Sequence, residues 1–388
     1  MNHAVVLVAI CSAIVGISYG MHSPVVPVFA REQLAADYSQ VGLIGTVNYL
    51  PYMFAPFFVG ILLDRLNKSY VLLSGILLNV FSIFLLSTAQ SIPEIMLYRA
   101  IAGVAHALFW PSSEVLVSIN SSGPERRVKN ISVFIAAWIL GFMVGPLIGK
   151  LILNAFDYYT LFQLAAAAMA VGIVPSVLLH SYGWPAVQKE LEIIRPSFVA
   201  VLKEISNHLR LAGVILYYAI TFGVVLAVYP AYMSDASLTT EDVEIMFFFF
   251  GISRFATLLL LLIVARISRH SELALVLAIS TMAVGMIISF SSTSFVSFTV
   301  SVALFGISIS IFYPVSFGLV TMDTPSGHVG SKLGVYNTLF GTGWTTGPIV
   351  AGFASDAFGS GSPYLAFSII GGTFAVVITI LRKGNNHF

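Results

Sequence analysis

The chain has 388 residues, of which 58% are apolar and only 9% charged. Seventeen acids and eighteen bases cannot coat a soluble domain of this size, and a formal net charge of +1 offers neither a basic face for nucleic acid nor an acidic tail. The single cysteine, Cys11, excludes an intramolecular disulfide.

A helix needs about 20 apolar residues to cross the hydrocarbon layer of a bilayer. The pattern predicts twelve such segments: 4–30, 40–63, 69–90, 92–119, 129–154 and 157–180, then 208–233, 242–265, 272–292, 295–321, 331–357 and 363–382. An all-α integral membrane protein of the cell membrane follows. The first segment lacks a basic leader and is too long for a cleaved signal, so it reads as a retained span. It carries Tyr19 and Ser23 on one face with Ser12, and His22 to the side. The second places Asn48 and Tyr52 one turn apart and ends in "GILLDRLNK", which sets Gly60, Asp64, Arg65 and Lys68 close together.

The fourth segment is the most polar in its interior. Arg99, His106, Trp110 and Glu114 fall on one side of a helical wheel, His106 and Trp110 each roughly 20° from Arg99 and Glu114 about 60° away. A mid-membrane ionisable residue costs about 2.5–3.5 kcal/mol on insertion scales and is by default a functional-site hypothesis. This stripe therefore faces a wet cavity or a neighbouring helix. Two local alternatives stand beside the cavity: Arg99 pairs with Glu94 or backbone carbonyls, and Glu114 pairs with Arg65. His106 titrates near neutral pH when unperturbed, and a Glu away from countercharge holds its proton, so either suits proton transfer.

The fifth segment contains Trp138 and then "GFMVGPLIG", where Gly141, Gly145 and Gly149 at four-residue spacing permit close helix approach and Pro146 bends the helix. Residues 181–207 form a more polar connector, either an amphipathic helix on the inner surface or a tether, dividing a bundle at 1–180 from one at 208–388. In the second bundle Tyr217 and Thr221 are one turn apart, Arg254 lies midway along its helix, and Tyr336, Asn337 and Trp344 dot the eleventh segment before Gly347 and Pro348.

Lys and Arg set the orientation. With the N-terminus cytoplasmic, fourteen of the eighteen bases fall in inner loops or at the C-terminus, which puts both termini inside.

The halves repeat. "GVAHALFWPSSEVLV" from Gly103 aligns with "GISISIFYPVSFGLV" from Gly306 at an offset of 203, "GFMVGPLIG" with "GWTTGPIVA" at 202, and Arg65 with Arg266 at 201. Three matches at nearly one offset indicate two copies of a six-helix unit. Equivalent helices point the same way through the membrane, so the repeat is parallel.

On these motifs the chain resembles the major facilitator superfamily over about residues 4–382. Gly60, Asp64, Arg65 and Lys68 fit the signature between helices 2 and 3, with Asn67 in place of its second glycine. Arg99 and Gly103 fit the helix-4 signature. Gly141, Gly145, Pro146 and Gly149 fit the helix-5 antiporter signature in part, since Ser132 and Lys150 stand where that pattern has glycines. The resemblance implies halves that rock about a central site, a substrate or proton role for Arg99, and a cytoplasmic latch at Asp64 and Arg65. The alternative for those bases is topological anchoring alone. Ala265 replaces the acid in the second copy, which keeps Arg266, Arg269 and Asp323.

No phosphate-binding loop, metal-spaced Cys/His cluster or Gly-x-Ser-x-Gly motif is present, so no enzyme, cofactor or metal is expected. The expected partners are membrane lipid, a small-molecule substrate and protons, with a monomer as the family norm. The leading reading is a secondary transporter, proton-coupled and directed outward. The alternatives are uptake or facilitated diffusion of a sugar or organic anion gripped by Arg99 and Arg254, and a non-transporting receptor on the same scaffold.

Overall fold

The computed structural model describes residues 2–122, 124–182, 209–236, 238–263, 271–321 and 329–383. The connector at 181–207 lies almost wholly outside the described residues, as do Arg266, Arg269, Asp323 and the side chain of Asp64. All regular structure in the described residues is helical: α1 His3–His22, α2 Val25–Leu34, α3 Tyr38–Arg65, α4 Lys68–Leu86, α5 Ile92–Ile119, α6 Pro124–Leu153, α7 Tyr158–Val171, α8 Ile173–Leu178, α9 Leu209–Ala227, α10 Tyr229–Asp235, α11 Thr240–Ile263, α12 Ser271–Ser291, α13 Phe295–Thr321, α14 Val329–Phe358 and α15 Ser362–Lys383, with a 3-10 turn at Leu179–Tyr182.

Ten of the described helical stretches are long and apolar enough to cross a membrane. The 28-residue α3 and the 30-residue α14 add two further long helices. Exposed Leu, Ile, Val and Phe stud the outer faces of the bundle, as lipid in place of water allows.

The first span is interrupted by a turn at residues 23 and 24. α1 stops at His22 and α2 starts at Val25, because Pro24 has no N–H to continue the ladder. Its repeat mate breaks the same way, α9 ending at Ala227 and α10 opening on Tyr229 and Pro230. The segment expected at 4–30 thus matches one candidate span, His3–Leu34, with a turn at residues 23 and 24, and that expected at 208–233 is covered by α9 and α10 with Val228 between them.

The chain forms two compact units, one of Met1–Ala36, Val47–Glu192 and Thr239–Phe248, the other of Asp37–Thr46, Ile193–Leu238 and Phe249–Phe388. In the first, α1 packs chiefly on α6, and α4 on α5 and α7. In the second, α9 packs on α14, and α12 on α13 and α15. The repeat thus extends from residues to helix pairing. Its glycines set the spacing: a Cβ on Gly141 would strike the Ala13 carbonyl of α1, and one on Gly343 would strike Ala219 of α9.

Side-chain caps fix several helix starts. Asn67 accepts from Ser69 N at 3.0 Å before α4, and Asp157 accepts from Thr160 N at 2.8 Å before α7. That backbone hydrogen bond holds the Asp157 carboxyl below the usual carboxylate range. A lowered folded value means the contribution to stability is present above the unfolded value and is lost as pH falls through the folded one. Asp157→Ala should lower the detergent melting temperature slightly while Asp157→Asn, also a good cap, should not, and the gap between wild type and Asp157→Ala should narrow in acid.

Candidate functional site

The polar residues of α5 meet those of α1 and α3 inside the first unit. Arg99 and His106 are buried at 4% and 6% exposure, and with them His22 at 1% and Asn48 at 1%. Gly103 lets α3 and α5 close, since a Cβ there would run into the Asn48 carbonyl. With its carboxamide oxygen turned toward α5, Asn48 accepts from Arg99 Nη2 at 3.3 Å and donates to the Arg99 carbonyl at 3.3 Å. Arg99 Nε and Nη1 are buried and have no hydrogen-bond partner. Glu94 is occupied elsewhere, accepting from Gln90 N at 2.7 Å, so the pairing of Arg99 with Glu94 is absent.

His22 Nδ1 lies 2.6 Å from the Ser18 carbonyl. A carbonyl only accepts, so Nδ1 carries the hydrogen, and the neutral ring keeps its lone pair on Nε2. That atom is buried with no partner. Tyr19 joins the pieces. Its ring meets His22 edge-on with centroids 5.6 Å apart and His106 at 5.1 Å, and its hydroxyl is 3.5 Å from that of Tyr49. From Tyr19 the aromatic contacts continue: Tyr19 to Phe142 at 6.0 Å, Trp138 stacked on Phe142 at 5.3 Å, and Trp110 edge-on to Trp138 at 5.5 Å.

A guanidinium with two open donors, an imidazole with an open acceptor and a wall of aromatic rings form one constellation. Such a set suits an organic solute bearing a carboxylate, phosphate or similarly strong acceptor. Among the described residues, no acid hydrogen-bonds to the open Arg99 nitrogens.

The remaining candidates have surroundings of their own. Glu114 is exposed, off the buried face that Arg99 and His106 share. Tyr52 is half-buried on α3. At the end of α3, Gly60 is half-buried and Arg65 exposed, while Lys68 is buried at the start of α4. In the second unit the Tyr217 hydroxyl donates to the Phe367 carbonyl at 2.8 Å and Thr221 Oγ1 to the Tyr217 carbonyl at 2.8 Å, so both are used by the backbone. Arg254 is half-buried, its carbonyl accepting from Ser310 Oγ at 2.9 Å. Tyr336 shares a 2.9 Å hydrogen bond with Ser316, Trp344 meets Phe340 edge-on, and Asn337 is exposed. Gly145 and Pro146 abut Gly20 of α1, and in the second unit Gly347 and Pro348 abut Ile220 and Gly45. Tyr49, Phe142 and Glu244 belong to the buried polar and aromatic interior of the first unit without having stood out in the sequence. Tyr49 follows Asn48 directly, the one signal that pointed its way.

The chain matches the family described as Major Facilitator Superfamily over residues 8–285 and 269–387. It is 21% identical over 373 residues to the inner membrane transport protein YajR of Escherichia coli, covering 93% of this chain and 79% of that one. It is 25% identical over 180 residues to the quinolone resistance protein NorA of Staphylococcus aureus, 46% of each chain. The solved nucleoside transporter NupG has the same fold, with TM-score 0.78 at 15% identity over 99% of this chain and 100% of that one. Family match, helical spans and repeated helix pairing agree, and the chain belongs to the Major Facilitator Superfamily as a multi-pass membrane transporter.

Proposed function

We propose that this protein is a proton-coupled secondary transporter that works by alternating access and moves a small organic solute carrying an anionic or strongly accepting group, most readily outward. The observation that carries the substrate class is Arg99: a buried guanidinium with Nε and Nη1 open, bordered by aromatic side chains that suit an organic body. Charge-assisted hydrogen bonds to such a fork contribute about 1.5–3 kcal/mol each, enough to select an acceptor-bearing solute over an apolar one. Coupling to protons is supported by the ionisable groups close by, His22 and His106 in the cluster and Glu114 on the same helix. The partial helix-5 signature and the likeness to a resistance protein over 46% of the chain support the outward direction.

Uptake or facilitated diffusion of an organic anion shares the same Arg99 grip and differs in energetics and direction. Flux in proteoliposomes separates them. With a pH gradient imposed, labelled organic anions should move against their own gradient, and the reverse gradient should reverse the movement. Flux indifferent to the gradient would leave a facilitator, and absence of counterflow for every solute class would leave a non-transporting receptor. In that assay Glu114→Gln should lower gradient-driven flux if Glu114 hands the proton to the cluster, and unchanged flux removes it from the path.

A further inference from the structure

Away from the Arg99 cluster, one acid among the described residues of the first unit is completely buried. Glu244 is the fifth residue of α11, with 0% exposure and no hydrogen-bond partner for either carboxyl oxygen. Its seat lies against α6 and α1. A Cβ on Gly149 of α6 would run into the Glu244 carboxyl, and the Met21 carbonyl of α1 borders the same space. Glycine at 149 is therefore what makes room for the acid.

The titratable and charged groups next to this seat along the chain are His22 on α1, beside Met21, Lys150 on α6, beside Gly149, and Glu241 and Asp242 on α11 itself; Arg31 and Glu32 follow on α2 and Tyr158 opens α7. None hydrogen-bonds to Glu244. The Tyr158 hydroxyl is engaged by Glu32 and by Thr240, and Asp242 accepts from Thr239 N. The α11 start supplies a favourable dipole for negative charge, but that effect is small beside the cost of an ion stripped of water without a partner. The Met21 carbonyl that borders the space can only accept, so it offers a carboxylate nothing. The seat thus accepts the acid with its proton on.

α11 also changes company at this point. Residues 239–248 belong to the first unit, and the helix from Phe249 onward to the second.

We propose that Glu244 is a proton-binding site of this transporter: protonation lets the start of α11 seat against α1 and α6, and release of the proton accompanies its departure from that seat. This rests on the reading of the chain as proton-coupled. The linkage is thermodynamic: whatever the seated form binds and the unseated form does not must favour seating by mass action.

Three readouts on the full chain in proteoliposomes test it. Wild type should accumulate labelled anion under a pH gradient and also exchange it by counterflow. Glu244→Gln, an isosteric neutral mimic of the seated form, should still exchange but lose gradient-driven accumulation, and Glu244→Asp should restore part of the accumulation. In pH-difference infrared spectra the carbonyl stretch of a protonated carboxyl should titrate in wild type and be missing in Glu244→Gln. Wild-type flux blind to the gradient would defeat the coupled-transport reading itself. Gradient-driven accumulation in Glu244→Gln equal to that of a coupled wild type, or an unchanged infrared difference spectrum, would overturn the Glu244 assignment alone. Loss of exchange and accumulation together in both variants would also overturn it, by making Glu244 a packing residue.

Discussion

Arg99→Gln should abolish transport while leaving the protein at least as stable as wild type. Removing one partner of a paired buried charge is ordinarily destabilising by about 3–5 kcal/mol, because the other charge is left stranded. Arg99 has no such partner: Asn48 alone meets the guanidinium, and Nε and Nη1 stand open. The folded protein bears the desolvation of this cation without an ion pair to offset it, a strain of the kind binding sites retain for function. Glutamine can still meet Asn48 and discards the buried charge, so the melting temperature of the solute-free protein should hold or rise. Two charge-assisted hydrogen bonds lost to the solute, about 1.5–3 kcal/mol each, correspond to a fall of roughly a hundredfold or more in affinity, since about 1.4 kcal/mol is tenfold. Arg99→Lys keeps the charge and loses the planar fork, so it should recover only part of the binding. The measurement pairs flux with solute-induced thermal shift. Retained flux in Arg99→Gln, or a large drop in its solute-free melting temperature, would show that Arg99 serves the helix packing and not the solute.

The same residues mark how far the sequence could be read. Arg99 and His106 were legible because an arginine or histidine in an apolar run is conspicuous, and a helical wheel places both on one side. The wheel also drew in Glu114, which the structure leaves exposed. An angle on one helix says nothing about where the neighbouring helices end, and Glu114 lies toward the far end of α5. Tyr19 and His22 were visible on α1, but their meeting with His106 depends on how α1 crosses α5, information that no single segment contains. Glu244 escaped notice for a different reason. It follows Glu241 and Asp242 at a predicted helix start, where acids are commonplace, and only the packing of α11 on Gly149 separates it from those two neighbours. The interruptions at residues 23–24 and at Val228 follow from Pro24 and Pro230, which an apolar run by itself does not locate. The repeat was the most legible feature, because glycines and prolines that govern helix approach tolerate few replacements and so keep their register in both copies.

Those glycines carry the second large expectation. Gly141→Val should prevent the first bundle from assembling, and even Gly141→Ala should lower the melting temperature by several degrees. The sign is the opposite of the usual one. In an ordinary helix interior, replacing Gly by Ala stabilises by about 0.5–1 kcal/mol through reduced chain entropy. At 141 the new Cβ would meet the Ala13 carbonyl and the Ile17 amide of α1. These are backbone atoms held in their own helical hydrogen bonds, so no rotamer change relieves the clash and α1 must move away from α6. Overpacking in a tight interior costs about 1–3 kcal/mol, which exceeds the entropy gain, and valine adds two methyl groups to the same contact. Gly343→Ala in the second unit should behave alike, because its Cβ would meet Ala219 and the Ile220 amide of α9. Gly213 supplies the internal control: it also lies in a spanning helix, but a Cβ there meets nothing within 4 Å, so Gly213→Ala should leave the melting temperature unchanged or raise it. Equal behaviour of the 141 and 213 alanine variants in detergent thermal unfolding would mean that the α1–α6 contact does not set the helix spacing, and the structural basis offered for the repeated glycine pattern would fall with it.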